Sequence, residues 1–328
     1  MNSKELQEKL FSVDESNFES LALEIFRFQF ENNSIYATFS KGIGKNPQNV
    51  NRVEEIPFLP VELFKSHRIY SSEKLPEVVF SSSGTSAMAT SRHEVADSSL
   101  YRKSFRSGFR KFYGQPGNWV ILALLPSYLE REGSSLVYMA DRLIRETENA
   151  YSGFYLNNYK ELADKLKKLA AEGKKTLLLG VTYALLDLAE QFPQAIKNCV
   201  IMETGGMKGK RKEMIRDELH SILKTAFHVS EIHSEYGMTE LLSQAYSKGN
   251  GIFYCPPWMK IKIREMNDPL SYAANEKTGG VNVIDFANYY SCSFIATSDL
   301  GKVYADGGFE ILGRFDNSDV RGCNLMVE

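Results

Sequence analysis

Apolar positions recur at steps of three and four through residues 15–32. Phe18, Leu21, Ile25 and Phe28 mark one face of an amphipathic helix that packs on a core. Residues 51–60 carry two prolines and read as extended. A short β-branched run at 77–80 ends in the small, polar stretch 81–89. Asp97 then stands where a helix cap belongs, and Leu100, Phe105, Phe109 and Phe112 form the stripe of the helix behind it. From there strands alternate with helices. Strands are expected at 119–125, 175–179, 200–203 and 231–234, and helices at 135–147, 157–171, 182–191 and 210–224. Past about residue 242 the long helices stop. Strand-like runs at 260–264, 280–284, 293–297, 302–304 and 310–313 follow one another across turns.

This order predicts an α/β fold: a mostly parallel sheet flanked by helices, with right-handed crossovers and a C-terminal antiparallel β unit. A soft boundary near 245 separates an α/β core, 1–245, from a β-rich C-terminal subdomain of the same unit, 246–328. A chain of 328 residues can bury about three quarters of its unfolded surface without staples. Its 39 basic and 41 acidic residues leave a net charge of -2, which gives no general reason to bind nucleic acid or an anionic membrane. No apolar run approaches the roughly 20 residues of a membrane span, and the polar start is unlike a secretory leader. Four cysteines without a CxxC pair fit a reducing cytoplasm. Five histidines without HxxxH spacing argue against a zinc hydrolase.

Four stretches carry chemistry. Ser81 to Ala87 is a loop of hydroxyls and small residues after a strand. Such loops turn backbone N–H groups and hydroxyls onto phosphate oxygens, although no Lys follows the glycine as in a GxxxxGK[ST] loop. Glu235-Tyr236-Gly237-Met238-Thr239-Glu240 lies at a strand's C-terminal end, where open parallel sheets bind ligands. Its Thr can contact a phosphate, and its Glu can hold Mg²⁺ against that phosphate. Thr297 to Gly301 reads as a tight turn between two strands, and its Asp299 can accept hydrogen bonds from vicinal hydroxyls. Gly313-Arg314 follows fifteen positions after Asp299. Taken singly, each stretch also reads blandly: a surface loop, a strand end before a helix carrying Glu240, a hairpin turn, an exposed basic residue.

In this order the four stretches resemble the adenylate-forming superfamily of acyl-CoA synthetases, peptide-synthetase adenylation domains and firefly luciferase. Further runs narrow the resemblance. Ile56-Pro57-Phe58-Leu59-Pro60 with Phe64-Lys65, Ser91-Arg92-His93, Leu125-Pro126-Ser127-Tyr128, Cys255-Pro256-Pro257-Trp258 and Arg321-Gly322-Cys323 resemble the acyl-protein synthetases. That branch is the fatty-acid-activating subunit of the bacterial luminescence acid-reductase complex, and the likeness runs from about residue 18 to the end.

The resemblance implies an AMP-forming acid–thiol ligase that uses ATP and Mg²⁺. It assigns Ser82, Ser83, Gly84, Thr85 and Ser86 to the β- and γ-phosphates, Tyr236 to the neighbourhood of the adenine, and Thr239 to the α-phosphate. Glu240 would bind magnesium, Asp299 the ribose with help from Arg314, and Gly205 and Gly206 would line the adenine and acyl pocket. Two departures stand out. Where many relatives carry a loop lysine, this chain has Met88 to His93, with Arg92 as the candidate cation. Most relatives also continue into a small mobile domain that supplies a lysine, whereas this sequence ends fourteen residues after Arg314. In the luminescence branch the acyl group passes to a cysteine near the C-terminus, which points to Cys323 as acceptor. Arg321 beside it would favour the thiolate, while a buried structural thiol is the plain alternative. A carboxylic acid, preferably fatty, is the expected substrate, and an acyl reductase or carrier protein the expected partner. An aryl- or acyl-CoA ligase related to phenylacetate-CoA ligases is the alternative within the class. A non-catalytic acyl- or nucleotide-binding subunit is the alternative outside it. His93 is expected as a surface histidine rather than a phosphate ligand. His233 is a candidate for the acyl pocket, Tyr254 and Trp258 are expected to pack, and the basic run 208–212 is expected to be a solvated helix start.

Overall fold

The computed structural model describes residues 3–82, 90–126, 132–207, 210–212 and 214–315. Three helices come first: α1 (Ser3–Phe11), α2 (Phe18–Asn32) and α3 (Ser34–Gly42). Asn33 separates the last two and caps α3 by accepting from the Tyr36 N–H at 3.0 Å. Strand β1 (Leu59–Pro60) and the short α4 (Leu63–Ser66) follow. Strands β2 (Val78–Ser81) and β3 (Arg92–Val95) form a separate antiparallel pair. The stretch between them includes the small-residue loop. Helix α5 (Ser98–Tyr113) begins where its sequence expects, with the Asp97 carboxylate accepting from the Ser99 N–H at 2.9 Å.

The βα alternation then runs β4 (Val120–Leu124), α6 (Ser135–Glu146), β5 (Gly153–Tyr155), α7 (Tyr159–Ala171), β6 (Thr176–Val181), α8 (Thr182–Gln191), β7 (Cys199–Thr204), α9 (Arg216–Phe227) and β8 (His233–Tyr236). Every residue of β4 and β6 is buried. Continuous apolar strands of this kind are what a sheet covered on both faces requires. Strands β5, β4, β6, β7 and β8 pair in parallel in that spatial order.

At β8 the pairing changes hand. Strands β9 (Ala245–Ser247), β10 (Phe253–Tyr254), β11 (Met259–Arg264), β12 (Gly279–Asp285), β13 (Phe294–Val303) and β14 (Phe309–Arg314) pair antiparallel in the order β8-β9-β10-β14-β13-β12-β11. β1 adds to β13 in parallel. The whole is one 12-stranded sheet. β11 alternates buried and accessible positions, as a strand with one wet face should. Helix α2 reaches across to the end of the antiparallel block. Gln29 donates to the carbonyls of Asn288 and Tyr289 and accepts from the Ser293 N–H, and Phe28 stacks on Tyr289.

Three local expectations are corrected. The helix expected at 210–224 runs Arg216–Phe227 instead. Arg211, read as part of a solvated helix start, pairs with Asp187 and Glu190 of α8, and the acidic first turn Asp217-Glu218 marks the true start. The stretch 297–301 is not a turn between two strands. It lies inside β13, whose burial alternates through Thr297 and Asp299, and what it holds is a register shift at Leu300/Gly301. The real hairpin turn comes later, where Tyr304 N–H donates to the Gly308 carbonyl at 2.7 Å. The Gly of the Asp-Leu-Gly run is there for close approach: a Cβ on Gly301 would stand 2.4 Å from the Glu310 carbonyl oxygen.

Candidate active site

Strand β8 ends at Tyr236, next to the antiparallel block. The Tyr236 hydroxyl donates to Asp299 Oδ2 at 2.8 Å, and Arg314 Nε donates to Asp299 Oδ1 at 3.0 Å. Asp299 and Arg314 are direct cross-strand partners on β13 and β14, so the ladder itself sets their distance. Thr297 tightens the strand here, its hydroxyl donating to the Val281 carbonyl and accepting from the Asp299 N–H. Asp299 is buried, while the Arg314 side chain is 75% exposed. Burial beside a carboxylate pushes the Tyr236 phenol well above its ordinary range, so it stays a neutral donor. A carboxylate offers about four acceptor positions. Two are used, and the remainder can face vicinal hydroxyls.

After Tyr236 the chain makes a turn through Thr239 and Glu240. No helix begins there. Glu240 is 6% exposed. Burial raises its carboxyl above the usual range, opposed by a hydrogen bond from Ser91 and by the charges of Arg314 and Lys65. The turn is held from beneath by Asp285 at the end of β12. Asp285 Oδ2 accepts from the N–H groups of Leu242 and Ser243 at 2.8 and 2.9 Å, and Oδ1 accepts from the Ser243 hydroxyl and the Ala287 N–H. Full burial pushes its pKa up to about 6 despite these donors. The Ser243 hydroxyl also accepts from Trp258 Nε1 at 3.0 Å.

Two more side chains grip the same turn. His93 Nδ1 stands 2.8 Å from the Thr239 carbonyl, and Asn288 Nδ2 donates to the Glu240 carbonyl at 2.7 Å. His93 is completely buried, which corrects its reading as a surface histidine. It sits edge-on to Phe64, and burial lowers its pKa to about 4.

Glu235 points to the opposite face of β8. It accepts from the Thr204 hydroxyl, and burial next to Glu203 pushes it up to about 7. Gly205 and Gly206 follow β7, the parallel neighbour of β8. Gly205 has φ +70°, a conformation glycine adopts without strain, and its carbonyl accepts from Thr182. His233 meets the Tyr113 hydroxyl at 3.1 Å, and burial holds it at about 4. Trp258 is buried as expected. Tyr254 is 41% exposed and donates to Asp306, so it is not a packing residue.

Ser82 forms the clasp of the small-residue loop: its N–H donates to the Ser91 carbonyl, and its hydroxyl accepts from the Ser91 N–H at 2.9 Å. Ser83, Gly84, Thr85, Ser86 and Cys323 lie outside the described residues. Burial raises the thiol pKa of Cys199, Cys255 and Cys292, so none of these three is a ready thiolate at neutral pH.

The structure brings Tyr236, Asp299, Arg314, Thr239 and Glu240 into one region. Asp285 and Asn288 were missed, and His93 was read as a surface residue. The cue to Asp285 was a carboxylate inside the mostly apolar run Val281 to Phe286, whose other polar member is Asn282.

No protein-family model matches the chain, and no curated protein matches it significantly. Solved structures do. A 2-hydroxyisobutyryl-CoA ligase, in complex with 2-HIB-AMP and CoA in the thioesterification state, aligns with TM-score 0.65 at 11% identity, over 94% of this chain and 70% of that one. ATP-bound MatB from Rhodopseudomonas palustris aligns with TM-score 0.55 at 15% identity, over 72% of this chain and 47% of that one. The amide bond synthetase McbA from Marinactinospora thermotolerans aligns with TM-score 0.50 at 15% identity, over 72% of this chain and 48% of that one. The chain spans about half the length of MatB and McbA. The fold is that of the adenylate-forming enzymes.

Proposed function

We propose that this chain activates a carboxylic acid with ATP and then passes the acyl group to a thiol. The observation that carries the reading is the hydrogen-bonded set Tyr236–Asp299–Arg314 beside the Thr239–Glu240 turn. In the first step a carboxylate oxygen of the acid attacks the α-phosphorus of ATP. The bond to the β-phosphate oxygen breaks, and acyl-adenylate and pyrophosphate result. Asp299 would accept from the ribose hydroxyls, Tyr236 would border the base, and Thr239 would present its hydroxyl to the α-phosphate. The loop from Ser82 through Ser86 would cradle the outer phosphates, and Gly205 and Gly206 would leave room for the base and acyl group. Glu240 suits a divalent cation: it is a buried carboxyl whose pKa burial has raised, and a cation would relieve that cost. Mg²⁺ bound there would neutralise phosphate charge. The protein's own part is positioning and electrostatic complementarity.

In the second step a thiolate attacks the acyl carbon and AMP leaves. Cys323 is the proposed acceptor, by its resemblance in context and because the described cysteines are held as neutral thiols. The acyl group would then move to a reductase or carrier protein. A second reading, in which CoA is the acceptor, draws on the alignment with a CoA ligase.

The test is ATP–pyrophosphate exchange across a panel of carboxylic acids without CoA, followed by mapping of labelled acyl-protein. Acid-dependent exchange, with hydroxylamine-labile label on Cys323 and none on a Cys323→Ser variant, is the expected result. Label on Cys199, Cys255 or Cys292 would remove Cys323 from the role. Exchange without any protein label, with product formed only when CoA is added, would put the CoA reading first. No exchange with any acid would end the adenylation reading.

A further inference from the structure

His93 and Asn288 come from distant parts of the chain and do parallel things. A carbonyl oxygen only accepts, so the 2.8 Å contact with the Thr239 carbonyl requires the proton on His93 Nδ1. Nε2 is left as a bare acceptor. By the same logic, the bond from Asn288 Nδ2 to the Glu240 carbonyl fixes the amide and leaves Oδ1 as an acceptor. Both side chains are 0% exposed. Neither His93 Nε2 nor Asn288 Oδ1 has a hydrogen-bond partner among the described residues. Both residues line one cavity of ≈ 10 Å³, walled also by Leu242, Ala287 and Ser291.

Two acceptors cannot satisfy one another, and leaving both dry costs free energy. A molecule with two donors and the size of one water resolves this, and a cavity of about this volume is the smallest that holds a water. A cation is a poorer occupant: among the described residues no group of three or more His, Cys, Asp or Glu is placed to hold one.

We propose that this cavity is a one-water site, the water donating to both His93 Nε2 and Asn288 Oδ1. The pair, joined by that water, acts as positioning residues for the backbone of Thr239 and Glu240. The water site stands on geometry alone; its effect on catalysis rests on the adenylation reading above. One side chain holds the carbonyl of each residue that faces the phosphates and the metal, and the water locks the two holders together. Burial keeps the His93 ring neutral at ordinary pH, so Nε2 stays an acceptor.

A high-resolution crystal structure of the full chain tests the site directly. An ordered water within about 3 Å of both atoms is expected. An empty cavity, or a water reaching only one of them, overturns the proposal. Amide hydrogen exchange tests the positioning. His93→Phe and Asn288→Leu should each speed exchange at Leu241, Leu242 and Ser243 by about tenfold. Pyrophosphate exchange should lose about tenfold in kcat with little change in KM for ATP. His93→Gln keeps a donor and an acceptor and should recover most of both. It also serves if the Phe variant fails to fold: amide exchange and kcat as impaired in His93→Gln as in Asn288→Leu would overturn the role. If the wild type activates no acid, the functional reading falls, while the water and the amide exchange still decide the site.

Discussion

The β13–β14 hairpin and the turn after β8 each offer a carboxylate to the same region, and they hold it in different ways. Asp299 faces Arg314 across a ladder, takes the Tyr236 hydroxyl on its other oxygen, and has its own N–H tied to Thr297. Most of that set is local to one hairpin. The Thr239–Glu240 turn has little of its own beyond the Leu241 N–H to Met238 carbonyl bond. It is held by Asp285, His93 and Asn288 from elsewhere in the chain. Glu240 is buried and raised in pKa, whereas Asp299 is already ion-paired. A carboxylate that is satisfied before ligand arrives suits recognition. One that pays desolvation until a cation arrives suits metal binding, and this difference is what supports the proposed roles, ribose for Asp299 and magnesium for Glu240.

Glu240→Gln should break the comparison most severely. It keeps the shape and removes the charge. Adenylation should fall on the order of 10³-fold. Stability at pH 7 should hold or rise, because a buried carboxyl with a raised pKa disfavours the charged fold. Thermal unfolding with pyrophosphate exchange on the same sample checks both. Lost activity together with lost stability would make Glu240 structural.

Asp285 gives the turn a pH signature. Its pKa rises from 3.8 to about 6 on folding. The folded state therefore binds the proton more tightly, and the stability this contributes is full below pH 3.8. It is lost as pH climbs through about 6. Integrated over the shift, the wild type should lose about 3 kcal/mol relative to Asp285→Asn across that window. Denaturant unfolding at several pH values measures the slope. A variant that is less stable everywhere but keeps the wild-type slope would show that Asp285 does not titrate this way.

The same contrast explains what could be read from sequence. The parallel strands β4 and β6 announce themselves by the apolar runs Val120 to Leu124 and Leu177 to Leu179, and the Tyr236 to Glu240 and Asp299 signals are local strings. The supports of the turn are not local. Asp285 acts over 43 positions, Asn288 over 48 and His93 over 146. Nothing in the neighbourhood of His93 in sequence says that its ring is buried under Thr239. The Thr297–Gly301 error has a related cause: Asp and Gly mark both turns and bulges, and only the partner strand β14 shows which one is present.

Asp299→Ala probes the hairpin side. It removes the acceptor of Tyr236 and Arg314 and the proposed acceptor of the ribose hydroxyls. ATP affinity should weaken by about 1–3 kcal/mol, the range for hydrogen bonds to a charged group, while the pH dependence set by Asp285 persists. Calorimetric titration with ATP reads the first effect. Unchanged affinity would remove Asp299 from the nucleotide site.

Arg314→Lys should have the smallest effect, and it sharpens the comparison rather than breaking it. Lys keeps the positive charge but replaces a planar fork with a point charge on a flexible stem. The Arg314 side chain is mostly exposed, so water screens its pairing with Asp299 and the fold should barely notice. What changes is the direction of donation. Arg314 Nε is used on Asp299 Oδ1, and among the described residues no hydrogen bond takes the outer guanidinium nitrogens, which could donate onward to a ligand; a lysine spent on Asp299 cannot reach past it as a rigid fork. Unfolding midpoints should therefore agree between variant and wild type. KM for ATP should rise a few-fold, and raising the salt concentration should narrow that gap if charge rather than fork geometry were the cause. A gap that persists at high salt supports a directed contact with the nucleotide. No rise in KM at any salt would leave Arg314 as a surface partner of Asp299 and nothing more.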